Sequence, residues 1–205
     1  TNFPVTKTFG TQGNSDVFIT KLNASGSALT YSVLIGGYGA DIGLALDGDA
    51  DRLIVVDEHG VVLDGDQIMA VCASFRVADG GLPGRAIVAT QYSNLGLVQA
   101  LRTIGCQVIM ANAGDKYVLG EMRRRGLVLG GEQSGHIIML EKTTTGDGLI
   151  TAIEVASIVA ATGKPLSELA SVMVKFPQII AARANELFLG EQLGIDDDST
   201  IVLYG

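Results

Sequence analysis

Cysteine, positive charge and long apolar runs are all scarce in this sequence of 205 residues. The two cysteines, Cys72 and Cys106, fall in a predicted helix and at the start of a predicted strand, so we expect small core residues rather than a disulfide. The formal net charge of −8 argues against a nucleic-acid-binding surface. The apolar run from 149 to 161 contains Glu154 and is too short to cross a bilayer, and no secretory signal is recognisable. We therefore expect a cytoplasmic protein without a membrane partner.

Glycine and aliphatic residues are abundant instead. The sequence is 47% hydrophobic and contains 27 glycines, which is typical of an α/β protein with many tight turns. From residue 40 onward, we predict strands at about 42–46, 53–56, 61–63, 86–90, 108–110, 127–129 and 137–140. We predict helices at about 65–77, 94–104, 115–125, 146–161 and 166–174. This alternation indicates an α/β fold: a layered mixed sheet with helices on both faces and an N-terminal β-rich extension.

The acidic segment from Asp47 to Arg52 joins two of these predicted strands. Asp47, Asp49 and Asp51 occupy alternate positions, and alternate side chains of an extended segment point the same way. Three converging carboxylates repel one another unless a cation lies between them. Hard oxygen ligands suit magnesium, manganese or calcium. Arg52 adds a cationic fork that could hold a phosphate beside the metal.

Two other interpretations of this segment remain open. The aspartates, with Glu58 at position twelve, partly match the loop of a helix-loop-helix calcium site. Arg52 stands where that loop needs glycine, however, and both flanks are predicted strands. The other interpretation is a solvated acidic turn.

A second polar loop lies between the last two predicted strands. Glu132 and Ser134 are flanked by glycines, and a carboxylate acceptor beside a hydroxyl donor suits a pair of vicinal sugar hydroxyls. Further along, the run 143–146 offers hydroxyls and helix-start amides that could bind an anion, although helix capping explains it equally well.

The acidic segment resembles the metal loop of the phosphohexose mutases. Other segments match that family in order: Asp64-Gly65-Asp66-Gln67-Ile68 resembles its passage into the third domain, Gly131-Glu132-Gln133-Ser134-Gly135-His136 its sugar-binding loop, and the runs 143–148 and 176–178 also fit. The resemblance covers about 40–180. Within the family, this part of the sequence resembles the phosphoglucosamine mutase branch in particular. The resemblance implies Mg²⁺ as cofactor and a hexosamine phosphate as ligand.

Residue roles follow from the resemblance position by position. It implies metal binding by Asp47, Asp49 and Asp51. It implies sugar binding by Glu132 and Ser134. It places Lys116 near the active cleft, where this side chain could meet a phosphate, although a lysine at such a position is more often simply solvated. We predict that Arg52 also binds a phosphate. His136 could contact the sugar or phosphate, although a lone histidine at a strand start is as often structural. The substrate-binding set is therefore Arg52, Lys116, Glu132, Ser134 and His136.

The family's phosphoserine motif, a serine followed by His-Asn-Pro, is not present. The sequence has four prolines, and Pro4, Pro83, Pro165 and Pro177 all lack that context. The family's final phosphate loop, an arginine followed by Ser-Gly-Thr, is also absent. We therefore predict no catalytic residue and a fragment or chimera that keeps the metal and sugar loops without turnover. The alternative is a non-enzymatic chimeric or designed α/β scaffold or interaction module.

The two ends differ in character from the centre. We predict four parts: a β-rich extension at 1–39, a metal-loop hairpin at 40–64, a third-domain-like α/β unit at 65–181 and a helix-strand segment at 182–205. The first resembles one unit of a bacterial β-propeller-type repeat and the last resembles the start of a rhodanese-like domain. An ordinary hairpin and a generic surface helix and strand remain the alternatives. We expect strands within 17–34 to pair beside the strand at 42–46.

Overall fold

A computed structural model describes residues 7–9, 16–22, 29–36, 41–182 and 200–204, with side chains described from 41 to 178. Within these residues the strands are β1 (Lys7–Phe9), β2 (Asp16–Leu22), β3 (Leu29–Gly36), β4 (Ile42–Leu46), β5 (Leu53–Asp57), β6 (Val62–Leu63), β7 (Ala86–Thr90), β8 (Gln107–Ala111), β9 (Leu129–Gly131), β10 (Ile137–Met139), β11 (Gln178–Ala182) and β12 (Thr200–Tyr204). The helices are α1 (Gly65–Asp79), α2 (Leu95–Thr103), α3 (Asp115–Arg125), α4 (Gly148–Thr162) and α5 (Leu166–Ala170), with a short 3₁₀ helix at Pro83–Arg85.

The described strands form three sheets. The first has the order β1-β3-β2-β4-β5-β6, the second β10-β9-β7-β8, and the third pairs β11 with β12 in parallel. In the second sheet β7 runs parallel to both β8 and β9, and β10 returns antiparallel to β9. The mixed sheet of the prediction is therefore confirmed.

Strand β7 shows how the helices cover both faces of its sheet. Its residues alternate between two hydrophobic clusters, because successive side chains of a strand point to opposite faces. Ile87 and Ala89 belong to the larger cluster, which also contains buried side chains of α1, α2, α4, α5 and the metal-loop hairpin. Val88 packs in the smaller cluster with Val118 and Met122 of α3. Helices thus lie on both faces, as predicted.

Local signals explain where the helices begin and end. Asp64 caps α1 by accepting a hydrogen bond from the Gln67 N–H at 3.1 Å, and the Gln67 side chain accepts one from the Asp64 N–H at 3.3 Å. Asn94 caps α2 and Asp147 caps α4 through equivalent contacts. Left-handed Gly126 ends α3. These ends fix the loops that carry the polar residues.

The structure corrects three local predictions. The predicted strand at 127–129 begins two residues later because the Leu127 N–H closes the end of α3 onto the Met122 carbonyl at 2.9 Å. Helix α4 begins at Gly148 rather than at 146. Helix α5 ends at residue 170 rather than 174.

The predicted outer strands are present. β2 runs parallel to β4, with Lys21 opposite Leu46, so the expected pairing beside the metal-loop hairpin is observed. β12 pairs with β11 in a separate two-stranded sheet. The helix of the predicted helix-strand segment lies within 183–199, outside the described residues.

Both cysteines are free and buried, as expected. Burial raises the pKa of the Cys72 thiol to about 12, so it behaves as a small apolar core residue. Among the described helices, none has the length and hydrophobicity needed to span a bilayer.

Candidate functional site

The acidic loop reverses the chain between β4 and β5. The Ala50 N–H donates to the Asp47 carbonyl at 3.2 Å, and Ala50 itself adopts a left-handed conformation with φ of 62°. This turn brings one carboxylate oxygen each of Asp47, Asp49 and Asp51 within 4.8 Å of one another. The predicted convergence is therefore present. Oxygen donors at this spacing fit a hard divalent cation.

The clustering is electrostatically unfavourable without a cation. The pKa of Asp51 is raised, first by burial and then by the hydrogen bond and negative charge of Asp47, while His136 lowers it. Arg52 relieves part of this repulsion. Its Nε lies 3.8 Å from both Asp47 Oδ2 and Asp51 Oδ1, and its side chain is half exposed. The exposed guanidinium keeps donors free for a further anion.

His136 lies beneath the metal loop and is only 5% exposed. Its Nδ1 lies 3.1 Å from Asp51 Oδ2, and its Nε2 lies 3.1 Å from the Gly146 nitrogen. Because the Gly146 N–H can only donate, Nε2 accepts and Nδ1 carries the proton that is donated to Asp51. Both ring nitrogens are thus bonded within the protein. This geometry favours a support for Asp51 over the predicted direct contact with sugar or phosphate.

The second loop is the β9–β10 hairpin. The Glu132 N–H donates to the His136 carbonyl at 3.0 Å, and the Gly135 N–H donates to the Glu132 carbonyl at 3.0 Å. Glu132 Oε1 accepts a hydrogen bond from the Gly114 N–H at 2.9 Å, and the Ser134 hydroxyl lies 3.5 Å from Glu132 Oε2. The two predicted sugar-binding side chains therefore share one side of the loop.

The two loops are joined directly. The Leu53 N–H at the start of β5 donates to the Gly135 carbonyl at 3.1 Å. Gly135 has φ of 94°, and a Cβ there would lie 2.2 Å from the Leu53 carbonyl oxygen, so only glycine fits this approach. Together with the His136–Asp51 contact, this fixes the metal loop against the sugar loop.

A cavity of about 550 Å³ opens beside Glu132 and Ser134. Its walls are Thr90, Tyr92, Ala113, Gly114, Glu132, Gln133 and Ser134. These residues lie at or just after the carboxyl ends of β7, β8 and β9, and the connections that leave β7 and β8 run through α2 and α3 on opposite faces of the sheet. The carboxyl ends of parallel strands are the usual ligand position in α/β sheets. Tyr92 and Gly114 were not among the predicted site residues, although their position just after predicted strands was a usable signal.

The remaining candidates from the sequence are Lys116, the possible anion site at 143–146 and Glu58. Lys116 is exposed in the first turn of α3, and its ammonium lies 4.8 Å from the centre of the Tyr117 ring. The amides of Gly146 and Gly148 donate to His136 and to the Ala50 carbonyl, which leaves neither for the predicted anion. Glu58 accepts hydrogen bonds from the Ser167 N–H and hydroxyl. The calcium-loop alternative, which needs Glu58 at the cation, is therefore wrong.

Comparisons with known proteins identify the family. The model of phosphoglucomutase/phosphomannomutase, alpha/beta/alpha domain III, matches residues 64–176, which is more than half of the chain. The chain therefore belongs to the phosphoglucomutase/phosphomannomutase family, and the matched part corresponds to its third domain. The predicted resemblance is confirmed at this level.

Individual relatives show which members of the family this chain is similar to. Phosphoglucosamine mutase of Moorella thermoacetica is 58% identical over 142 residues, which are 69% of this chain and 32% of the relative. A phosphoglucomutase/phosphomannomutase family protein of Burkholderia thailandensis has a TM-score of 0.59 at 30% identity, over 65% of this chain and 29% of that protein. N-acetylphosphoglucosamine mutase of Aspergillus fumigatus, solved with GlcNAc-6P and magnesium, shares the fold with a TM-score of 0.53 at 23% identity, over 66% of this chain and 36% of that protein. This chain spans about a third of the length of the curated relatives it matches.

Proposed function

We propose that the chain carries the third domain and the metal loop of a phosphoglucosamine-mutase-type enzyme. In this proposal it binds Mg²⁺ at Asp47, Asp49 and Asp51 and a hexosamine phosphate at the Glu132–Ser134 loop. The observation that supports it best is the junction of the two loops through Leu53, Gly135 and His136. Because the loops share hydrogen bonds, a cation at one and a sugar at the other would lie on one continuous surface.

Each side chain has a distinct part in this proposal. The three aspartates would hold Mg²⁺, whose positive charge would neutralise phosphoryl oxygens. Glu132 would accept from one sugar hydroxyl while Ser134 donates to the neighbouring one. The GlcNAc-6P and magnesium bound by the Aspergillus fumigatus protein support this ligand class.

Three further side chains complete the proposed site. The half-exposed Arg52 and the exposed Lys116 would supply charge for a phosphate. His136 would orient Asp51 through its Nδ1–H and so keep this carboxylate turned toward the cation.

We further propose that this chain alone does not complete phosphoryl transfer. The printed sequence contains no Ser-His-Asn-Pro motif that could supply the family's phosphoserine. Without a nucleophile the covalent step has no donor, whereas ligand binding needs only the two loops. The four-part division at 39, 64 and 181, with a propeller-like first part and a rhodanese-like last part, also stays a proposal.

Isothermal titration calorimetry with glucosamine 6-phosphate, in the presence and absence of Mg²⁺, tests the binding proposal. We expect Ser134→Ala to weaken sugar phosphate binding and Asp49→Asn to remove its dependence on Mg²⁺. Asp79→Asn, an exposed aspartate at the far end of α1, is the matched control and should bind as the wild type does. No binding by the wild type, or equal binding by all four proteins, would contradict the proposal.

A further inference from the structure

A side-chain amide after the α/β unit connects to the sugar loop. Gln178 is the first residue of β11, and its side chain forms three hydrogen bonds with the protein. Its Oε1 accepts from Gln133 Nε2 at 3.3 Å and from Asn94 Nδ2 at 3.3 Å, and its Nε2 donates to the Tyr92 carbonyl at 2.9 Å. None of these four residues belongs to the predicted substrate-binding set.

The orientation of this amide is determined by its neighbours. Asn94 Oδ1 accepts from the N–H groups of Gly96 and Phe176, at 2.9 and 3.0 Å. Asn94 Nδ2 must therefore face the Phe176 carbonyl, 2.8 Å away, and Gln178 Oε1. The Tyr92 carbonyl can only accept. Gln178 thus presents its oxygen to Gln133, which must donate.

Gln133 is hydrogen-bonded to the segments at both ends of the α/β domain. Its carbonyl accepts from the Gly65 N–H, at the start of α1, at 2.9 Å. A Cβ at Gly65 would lie 2.1 Å from the Glu132 carbonyl oxygen, so the segment leading into the domain lies tightly against the sugar loop. The Gln133 side chain meets Gln178 in the segment leading out. The sugar loop is therefore held between the two ends of the domain.

Gln178 does not itself reach the proposed sugar site. The 550 Å³ cavity is lined by Tyr92, Gln133 and the sugar-binding pair, whereas Gln178 lines a neighbouring cavity of about 400 Å³. Gln133 is common to both cavities, and the Tyr92 carbonyl is bonded by Gln178. Any effect of Gln178 on a bound sugar must pass through these two residues.

We propose that Gln178 is a positioning residue that couples sugar phosphate binding to the anchoring of the segment from Phe176 to Ala182. The inference rests on the proposed function, because it needs a ligand at Glu132 and Ser134. A ligand that fixes the loop would strengthen the Gln133–Gln178 contact, and reciprocally an anchored Gln178 would raise affinity for the ligand.

The test combines calorimetry with hydrogen exchange on the full 205-residue chain, with glucosamine 6-phosphate and Mg²⁺ as the probe. In the wild type we expect the ligand to slow amide exchange in peptides covering 176–182. Gln178→Ala should bind the ligand roughly fivefold more weakly or worse and should lose this protection. Gln178→Glu, which keeps the size but cannot donate to the Tyr92 carbonyl, should show the same loss. Gln107→Ala, at an exposed glutamine in β8, is the matched control.

Two further comparisons separate coupling from simple loss of structure. Gln133→Leu combined with Gln178→Ala should weaken binding by less than the sum of the two single effects, since both changes remove the shared Gln133–Gln178 bond. Ser134→Ala separates the two proposals. If Ser134→Ala weakens binding while Gln178→Ala and Gln178→Glu bind normally and keep the protection, the coupling is wrong and the proposed function stands. If the wild type does not bind, or Ser134→Ala has no effect, the proposed function is wrong and the coupling is overturned with it.

Discussion

Replacing the buried Asp66 by asparagine should remove a defined part of the pH dependence of folding stability. Asp66 lies in the first turn of α1 and is 0% exposed. Its Oδ2 accepts a hydrogen bond from the Asn94 N–H at 2.6 Å. Burial is the main cause that raises its pKa from 3.8 to about 6. The Asn94 hydrogen bond and the charge of Lys175 oppose this rise, and the charge of Asp64 adds to it.

The sign follows from proton binding. Because the native pKa lies above the unfolded value, the native state binds more protons between about pH 4 and pH 6. The stability that Asp66 contributes is fully present below the unfolded pKa and is lost as the pH rises through the native pKa. The two values differ by about two pH units, which corresponds to about 3 kcal/mol of unfolding free energy.

Urea unfolding followed by circular dichroism at several pH values between 4 and 7.5 measures this effect. The free-energy difference between Asp66→Asn and the wild type should move in favour of the variant by up to about 3 kcal/mol as the pH rises through this range. Any constant cost of the asparagine amide cancels in this comparison. Ala78→Gln, an uncharged change at an exposed position of the same helix, should give a nearly constant difference. A constant difference for Asp66→Asn as well would show that Asp66 titrates normally and that the argument is wrong.

Three other predictions concern stability, metal and turnover. Arg76→Leu should lower the unfolding free energy by about 1–3 kcal/mol, because it removes the bonds to Glu154 and Glu141 at 2.9 and 2.8 Å while the 14% exposed Glu154 keeps Lys142 at 2.6 Å; a loss below about 0.5 kcal/mol in urea unfolding contradicts this. Mg²⁺ alone should bind weakly, since this ion keeps several waters and uses few protein ligands, and Asp49→Asn should abolish the calorimetric signal; tight binding unaffected by the substitution argues against the metal loop. The chain alone should not convert glucosamine 6-phosphate to the 1-phosphate, and product in a phosphorus NMR assay would overturn that expectation.

Sequence patterns predicted the features that depend on local spacing. The caps at Asp64 and Asn94 and the glycine that ends α3 are determined by contacts within a few residues, so their positions could be derived from the sequence. The start of β9 could not, because the end of α3 uses the Leu127 N–H before the strand can begin. Local propensity does not report such competition between neighbouring elements.

Functional contacts over long sequence distances were the part that patterns missed. Nothing in the segment around His136 indicates Asp51, 85 residues earlier, or the bond from Gly146 to its other nitrogen, so the sequence left open whether this residue contacts a ligand or is structural. The bonds from Gln178 to Asn94 and Tyr92 likewise span 84 and 86 residues. These contacts depend on the tertiary fold and have no periodic signature. The fold class could be predicted because it requires only the order and type of the elements.

The convergence of Asp47, Asp49 and Asp51 was predicted from an extended segment, whereas the structure produces it by a turn, and this difference gives a last test. Leu46 and Leu53 face each other across the β4–β5 ladder, so the six residues between them must reverse direction and cannot be extended throughout. Ala50, with φ of 62°, makes this reversal, and the left-handed region costs a non-glycine residue about 1 kcal/mol. Ala50→Gly should therefore raise the unfolding free energy by about 0.5–1 kcal/mol in urea unfolding. Ala156→Gly, at a partly exposed position in the middle of α4, should lower it by a similar amount or more, since glycine weakens a helix interior. Destabilisation by both changes would show that Ala50 is not strained and that another residue of the loop turns the chain.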